Sequence, residues 1–290
     1  MTIWQAIFQA IVQGITEFLP VSSSGHLVLI QYFTGPGGQG DLLFIVLLHL
    51  GTLFSVIVAY WKIIAELLRE VVFILIDLPR GKFSISKASA KRRMALLLML
   101  SVLPLVFVIF FRDFFESMAT GGNLLPVGIS FLITSALLFI ADRCPKGHKT
   151  AKTMKARDAL AVGCMQAIAP MPGISRSGST IAVGLMMGLD KKYAVAFSFI
   201  MSIPALLGAS ILEIGDAVRY GVNTPVPVMV VGVVVAFIVG LFAIKLVQWL
   251  VVSDRFRIFA WYTLALGAVV ILVAAVELST GGILRTIFGG

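Results

Sequence analysis

The sequence predicts an all-α polytopic membrane protein with an inverted-topology repeat, each half a re-entrant helical hairpin followed by three transmembrane helices. Three observations predict this. Hydrophobic residues make up 59% of the 290-residue chain and charged residues only 13%. Six stretches, 42–61, 94–111, 117–141, 193–212, 220–244 and 258–276, contain no Asp, Glu, Lys or Arg. Each reaches the roughly 18 residues that an apolar segment needs to read as a membrane span. A polar segment also recurs at an offset of 153: Gln13, Ile15, Ser22, Ser24 and Gly25 meet Gln166, Ile168, Ser175, Ser177 and Gly178.

Each element follows from a local feature. Gln5, Gln9, Gln13 and Glu17 recur every four residues, which draws a polar stripe down one face of a first helix. A secretory leader would not carry that stripe, and the N-terminus has no basic start. Residues 3–34 read as helix, a serine loop containing Pro20, and helix. Residues 158–189 read the same way around Pro170, Pro172 and Gly173. Each arm is about a dozen residues, or about 18 Å of helix, too short to cross a bilayer. Both segments are therefore predicted to be re-entrant hairpins whose tips are covered by protein. The chain reads as a single membrane domain over 1–290, with repeat one at 1–141 and repeat two at 157–277.

Charge sets the expected orientation. One hairpin and three spans per half make an odd number of crossings, so the second half enters inverted. With the N-terminus outside, the loop at 31–41 is outside and carries only Asp41. The segments 62–93, with eight Lys/Arg, and 142–158, with six, are then loops on the inside. The Lys191-Lys192 turn, Arg255 and Arg257 join them inside, while Glu213–Arg219 falls outside. Both termini are expected outside. The net charge of +9 is thereby spent on topology, and no nucleic acid partner is expected. Cys144 and Cys164 read as free thiols.

The paired loops carry the chemistry. Ser22, Ser23, Ser24 and Gly25 open one helix, and Ser175, Arg176, Ser177 and Gly178 open the other. Serines cap free helix N–H groups, and those groups with the helix dipole make an anion site. The planar fork of Arg176 suits phosphate. Small residues could instead serve close helix packing, but two matched loops with an arginine inside favour a site. Glu17 and His26 are expected to come together across the hairpin. Glu17 there could ligate a divalent cation or orient His26, and His26 could act as acid, base or nucleophile. His49 reads as a structural histidine in an apolar span. Phe107–Phe115 reads as lipid-facing, and Arg112, Asp113 and Glu116 as the solvated end of a span. No P-loop, dinucleotide fingerprint, HExxH or CxxC pattern is present.

These motifs resemble the undecaprenyl-diphosphate phosphatase (bacitracin-resistance) family over essentially the full chain. Gln13, Glu17 and Pro20–His26 match its first motif, and Pro172–Gly178 its second. The resemblance implies a multi-pass enzyme of the bacterial inner membrane. It would remove the terminal phosphate of a C55 isoprenyl diphosphate lipid with a divalent cation, Mg²⁺ or Ca²⁺, and so recycle the lipid carrier of cell-wall synthesis. Carried onto this chain, Glu17, Ser23, His26 and Arg176 are the expected catalytic set, with Glu17 as the metal ligand. Gln13, Ser22, Ser24, Gly25, Gln166, Ser175, Ser177 and Gly178 are the expected substrate-binding residues. Some family members have Glu where this chain has Gln13, which removes one anionic ligand. Ser23, His26 and water all remain open as nucleophile, with Ser23 attacking and His26 taking its proton as the favoured pairing. Membrane lipids are the other expected partners, and the oligomeric state, monomer or homodimer, stays open. A lipid flippase or other transporter would share the inverted repeat. It would need a second gate and no nucleophile.

Overall fold

The computed structural model describes residues 1–34, 42–81, 88–111, 114–115, 117–118, 123–220 and 224–280, and leaves the side chains of 31, 34 and 216–220 undescribed. Residues 35–41 of the segment 31–41, with Asp41, together with Lys82, Lys87, Arg112, Asp113, Glu116 and the side chains of Asp216 and Arg219, lie outside the described residues. Helix accounts for every regular element among the described residues, apart from one isolated bridge between Lys149 and Leu189. The helices are α1 (Ile3–Thr16), α2 (Ser23–Thr34), α3 (Leu42–Ala59), α4 (Trp61–Asp77), α5 (Ala90–Val102), α6 (Val106–Phe110) and α7 (Leu125–Asp142). Then follow α8 (Ala156–Ile168), α9 (Arg176–Met186), α10 (Lys191–Tyr220), α11 (Val226–Val252) and α12 (Arg257–Thr280).

Among the described residues, six helical segments are long and apolar enough to cross a membrane: Leu42–Ala59, Ala90–Phe110, Leu125–Asp142, Lys191–Gly215, Val226–Val252 and Arg257–Thr280. They match the six charge-free stretches, and the chain is a multi-pass membrane protein. The second span is α5 and α6 joined by a 3-10 turn at Leu103–Leu105, because Pro104 there has no N–H to continue the α-helical ladder. The four arms of the two hairpins, α1, α2, α8 and α9, are 14, 12, 13 and 11 residues long. None spans a bilayer. The Phe-rich run faces outward, with Phe107 65% and Phe110 78% exposed.

One expectation fails here. Residues 62–93 were expected to form a loop, yet Trp61–Asp77 is the helix α4. Its residues favour helix, and Leu67 and Ile74, seven apart, bury one face while Glu66, Glu70 and Asp77 pair with basic residues of α5. The abundance of Lys and Arg hid that periodicity.

The halves interlock by exchanging partners. The third spans, α7 and α12, pack together, as do the first spans, α3 and α10. α1 packs on α11, and correspondingly α8 packs on α5. Small residues permit this closeness, as is common where lipid offers no hydrophobic drive between helices. A Cβ on Gly128 of α7 would lie 3.3 Å from the Gly267 carbonyl oxygen of α12, and one on Gly267 would lie 3.1 Å from that of Gly128. Hydroxyls then tie helix to helix. Ser55 Oγ donates to the Phe237 carbonyl at 2.8 Å, and Ser135 Oγ to the Ala260 carbonyl at 2.8 Å. Buried Phe18, Phe197 and Phe199 share one hydrophobic core.

The α5–α8 contact holds the second hairpin in place, and Gly163 sets its spacing. A Cβ there would stand 2.1 Å from the Ser101 carbonyl oxygen and 2.8 Å from its carbon. Gly163→Ala should therefore destabilise the protein by about 1–3 kcal/mol through overpacking. Gly208→Ala, with nothing within 4 Å of its Cβ, should be neutral or slightly stabilising. Thermal unfolding of the two variants in detergent checks the contrast.

Candidate functional site

The site begins with the polar face of α1. Thr2 and Gln5 form a reciprocal cap at its start. Gln9, Gln13 and Glu17 follow, all buried, the last two 2% and 7% exposed. Glu17 closes the helix by donating its backbone N–H to the Gln13 carbonyl at 3.0 Å. The chain then turns through Pro20 to Ser22, whose φ of 67° is left-handed. That conformation costs a non-glycine residue about 1–2 kcal/mol. Hydrogen bonds offset the cost. Ser22 Oγ accepts from the Gly25 N–H at 3.2 Å and from the Gly173 N–H of the other loop at 3.2 Å. The Ser22 carbonyl accepts from the His26 N–H at 3.3 Å and from His26 Nδ1 at 2.7 Å.

The second loop repeats this design. Ser175 Oγ caps α9 by accepting from the Gly178 N–H at 3.1 Å. Thr134 of α7 braces the loop, receiving the Ser175 N–H at 3.1 Å and donating to the Gly173 carbonyl at 2.9 Å. Ser177 Oγ crosses over to the Leu19 carbonyl at 3.2 Å. The tips touch reciprocally. A Cβ on Gly25 would lie 2.9 Å from Gly173 Cα, and one on Gly178 would lie 2.7 Å from Pro20 Cβ. Pro20 and Gly173 stand at the same 153-residue offset as Gly25 and Gly178.

This contact brings Ser23, the first residue of α2, and Arg176, the first residue of α9, onto one carboxylate. Arg176 Nη2 donates to Glu17 Oε1 at 2.7 Å. Ser23 Oγ donates to Glu17 Oε2 at 3.0 Å, and Gln13 Nε2 to the same oxygen at 2.8 Å. His49 Nε2 stands 3.9 Å from Glu17 Oε2. The arrangement offers a hydroxyl already hydrogen-bonded to a carboxylate that can take its proton, a guanidinium for anionic oxygens, and two helix starts whose N–H groups and dipoles favour negative charge. Ser24, whose Oγ is 3.4 Å from that of Ser22, completes the first loop. Ser175 and Ser177 repeat that spacing at 3.4 Å in the second.

Three expected placements differ. Among the described residues, the hydrogen-bond and ion partners of Glu17 are Gln13, Ser23, Arg176 and His49, and His26 is not one of them. Both nitrogens of His26 are engaged elsewhere. The Ser22 carbonyl can only accept, so Nδ1 carries a hydrogen. Nε2 lies 2.7 Å from the Tyr262 hydroxyl, and the two rings stack 4° from parallel. The left-handed turn at Ser22 aims this part of α2 toward α12. His49, read as a structural residue, stands beside Glu17 instead. Its signal was available: an ionisable side chain in a span needs a partner, and Glu17 was the nearby carboxylate of the polar stripe. Gln166 stays apart from Glu17 and donates from Nε2 to the Met201 carbonyl at 3.4 Å. Its offset from Gln13 suggested a like role, but Pro170 stands where Glu17 does in the first copy. Tyr262 carried no sequence signal, being one aromatic residue in an apolar span.

The fit to a divalent cation is narrow. No group of three or more His, Cys, Asp or Glu converges among the described residues. Glu17 alone does not make a protein cage. One carboxylate does suit a cation that keeps water and is held largely by substrate phosphate oxygens, as Mg²⁺ commonly is.

The Glu17–Arg176 pair is nearly buried, with side-chain exposures of 5% and 17%. Removing one partner strands the other charge. Arg176→Met should cost about 3–5 kcal/mol, and adding Glu17→Gln to it should restore a large part of the loss. Thermal unfolding of the single and double variants in detergent reads this directly.

The family described as bacitracin resistance protein BacA matches residues 6–269 of this chain. The undecaprenyl-diphosphatase of Alkaliphilus metalliredigens is 39% identical over 274 residues, covering 94% of this chain and 98% of that protein. That of Methanosphaera stadtmanae is 37% identical over 281 residues, covering 95% and 99%. That of Halothermothrix orenii is 33% identical over 278 residues, covering 95% and 100%. With a family match over nearly its whole length and such relatives, the chain belongs to the bacitracin resistance protein BacA family.

Proposed function

We infer that this chain is an integral membrane undecaprenyl-diphosphate phosphatase. It removes the terminal phosphate of undecaprenyl diphosphate to give undecaprenyl phosphate, recycling the carrier lipid of cell-wall synthesis. The observation that carries the reading is the convergence of Ser23 and Arg176 on Glu17 at two helix starts, in a chain alike from end to end to proteins named undecaprenyl-diphosphatase.

The residues suggest a division of labour. The diphosphate enters at the two helix starts, and Arg176 turns its fork to the phosphate oxygens. Ser23 Oγ attacks the terminal phosphorus while its proton passes to Glu17 Oε2. The bond from that phosphorus to the bridging oxygen breaks, and undecaprenyl phosphate leaves with the electron pair. Water then cleaves the phosphoserine, its oxygen going to inorganic phosphate and one of its protons restoring the Ser23 hydroxyl, and Glu17 passes the proton it took to the departing phosphate. Catalysis of this kind rests on positioning and on neutralising the phosphate oxygens. Gln13 holds Glu17 in place, and His26 holds the strained backbone of Ser22. A divalent cation, Mg²⁺ or Ca²⁺, belongs to the proposal. Held by Glu17 and the diphosphate, it would supply further positive charge to the phosphate oxygens.

The proposal extends to topology: the halves are inverted repeats, in the bacterial inner membrane, with both termini outside. The exchange of packing partners and the reciprocal loop contact support the repeat. Cysteines placed at positions 37 and 150 should be labelled from opposite sides. Labelling of both from one side would overturn this arrangement.

Purified protein in detergent, where transport is impossible, should release phosphate from the diphosphate lipid. Silence there would favour the flippase reading. Excess chelator should abolish release, and full activity in chelator would reject the cation. Arg176→Lys keeps the charge and loses the fork, so the rate should fall about 10²–10³-fold, by analogy with loss of an oxyanion-hole donor. A rate within threefold of the parent would place Arg176 outside the chemistry.

A further inference from the structure

Helix α4 is not one of the six spans, and its surface has three distinct faces. Trp61, Leu68, Val72 and Leu75 follow at steps of seven, four and three, which places them on one stripe. They are 59%, 61%, 53% and 62% exposed. Leu67 and Ile74 are buried on a second face. On the third, the acidic residues are all matched by α5. Lys91 Nζ lies 2.7 Å from Glu66, Arg92 Nε 3.0 Å from Glu70, and Arg92 Nη1 2.9 Å from Asp77.

What remains unmatched is positive. Lys62 and Arg69, seven residues apart, border the apolar stripe, and Arg80 follows just past the helix end. All three are exposed, and none makes an ion pair among the described residues. An exposed apolar stripe with a basic edge is the pattern of a helix lying in the plane of a membrane surface.

We propose that α4 is an interfacial helix that binds anionic phospholipid, its apolar stripe among the acyl chains and Lys62, Arg69 and Arg80 on the headgroup phosphates. The repulsion of these headgroups by the acidic face is reduced, because Lys91 and Arg92 offset two of its three negative charges. α4 leads from the first span to the second, so the bound lipid would anchor the segment that links them. This proposal is independent of the phosphatase reading.

The test uses full-length protein in nanodiscs of phosphatidylcholine with about one-third phosphatidylglycerol, a composition rich enough to give the negative surface such helices seek. In a Cys144→Ser/Cys164→Ser background, nitroxides are attached at Leu68→Cys, at Val72→Cys and, as a loop reference, at Lys152→Cys. Labels at 68 and 72 should be reached by oxygen and shielded from an aqueous nickel reagent, with the reverse at 152. In native mass spectrometry, Lys62→Gln/Arg69→Gln/Arg80→Gln should retain at least about fivefold fewer phosphatidylglycerol adducts. Lys152→Gln should retain as many as the parent. Nickel access at 68 and 72 would overturn the interfacial placement, and unchanged adducts would overturn the lipid site. Dipolar broadening between labels on two copies would show a second chain covering the stripe and would also overturn the proposal.

Discussion

The Ser22 hydroxyl holds the site together. It caps its own helix at the Gly25 N–H and bonds the Gly173 N–H of the other loop. A helix break leaves backbone groups that must find hydrogen bonds elsewhere. Each loop supplies what the other lacks. Ser177 covers the Leu19 carbonyl, Ser22 covers the Gly173 N–H, and glycines at both tips let the backbones touch. The same crossing carries Arg176 from the second half to Glu17 of the first. Packing and chemistry thus depend on one contact between distant parts of the chain.

Two copies of one design have become one site. At the 153-residue offset Ser23 answers to Arg176, Glu17 to Pro170 and His26 to Ser179. The first copy holds the carboxylate and the hydroxyl, and the second supplies the cation. The second hairpin has no carboxylate in the position of Glu17, so it cannot repeat the Ser23 bond. Two loops alike in sequence therefore present one asymmetric cluster, polarised from Arg176 on Glu17 Oε1 to Ser23 on Glu17 Oε2.

Much of this was legible in the sequence, for physical reasons. A span must exclude charge, so the six helices stand out as uncharged runs. Polar residues in hydrocarbon need partners, so the serine loops, Gln13, Glu17 and Arg176 marked themselves as a group. Spacing could not give the direction of His26, because a single positive φ at Ser22 decides which way α2 leaves the loop. That His49 needs a partner is legible from its place in an apolar span, but that the partner is Glu17 depends on how α3 stands against α1. α4 was missed because its acids and bases are distributed around a helix, and composition alone reads them as a basic loop.

Ser23 and Glu17 are proposed to act as one unit, the hydroxyl attacking as the carboxylate takes its proton. Phosphate release from undecaprenyl diphosphate in single turnover, measured for Ser23→Ala, Glu17→Gln and the double variant, tests it most directly. Groups acting as a unit are non-additive, so all three should fall to a common floor. Independent losses that multiply in the double variant, or a Ser23→Ala enzyme close to the parent rate, would contradict the account.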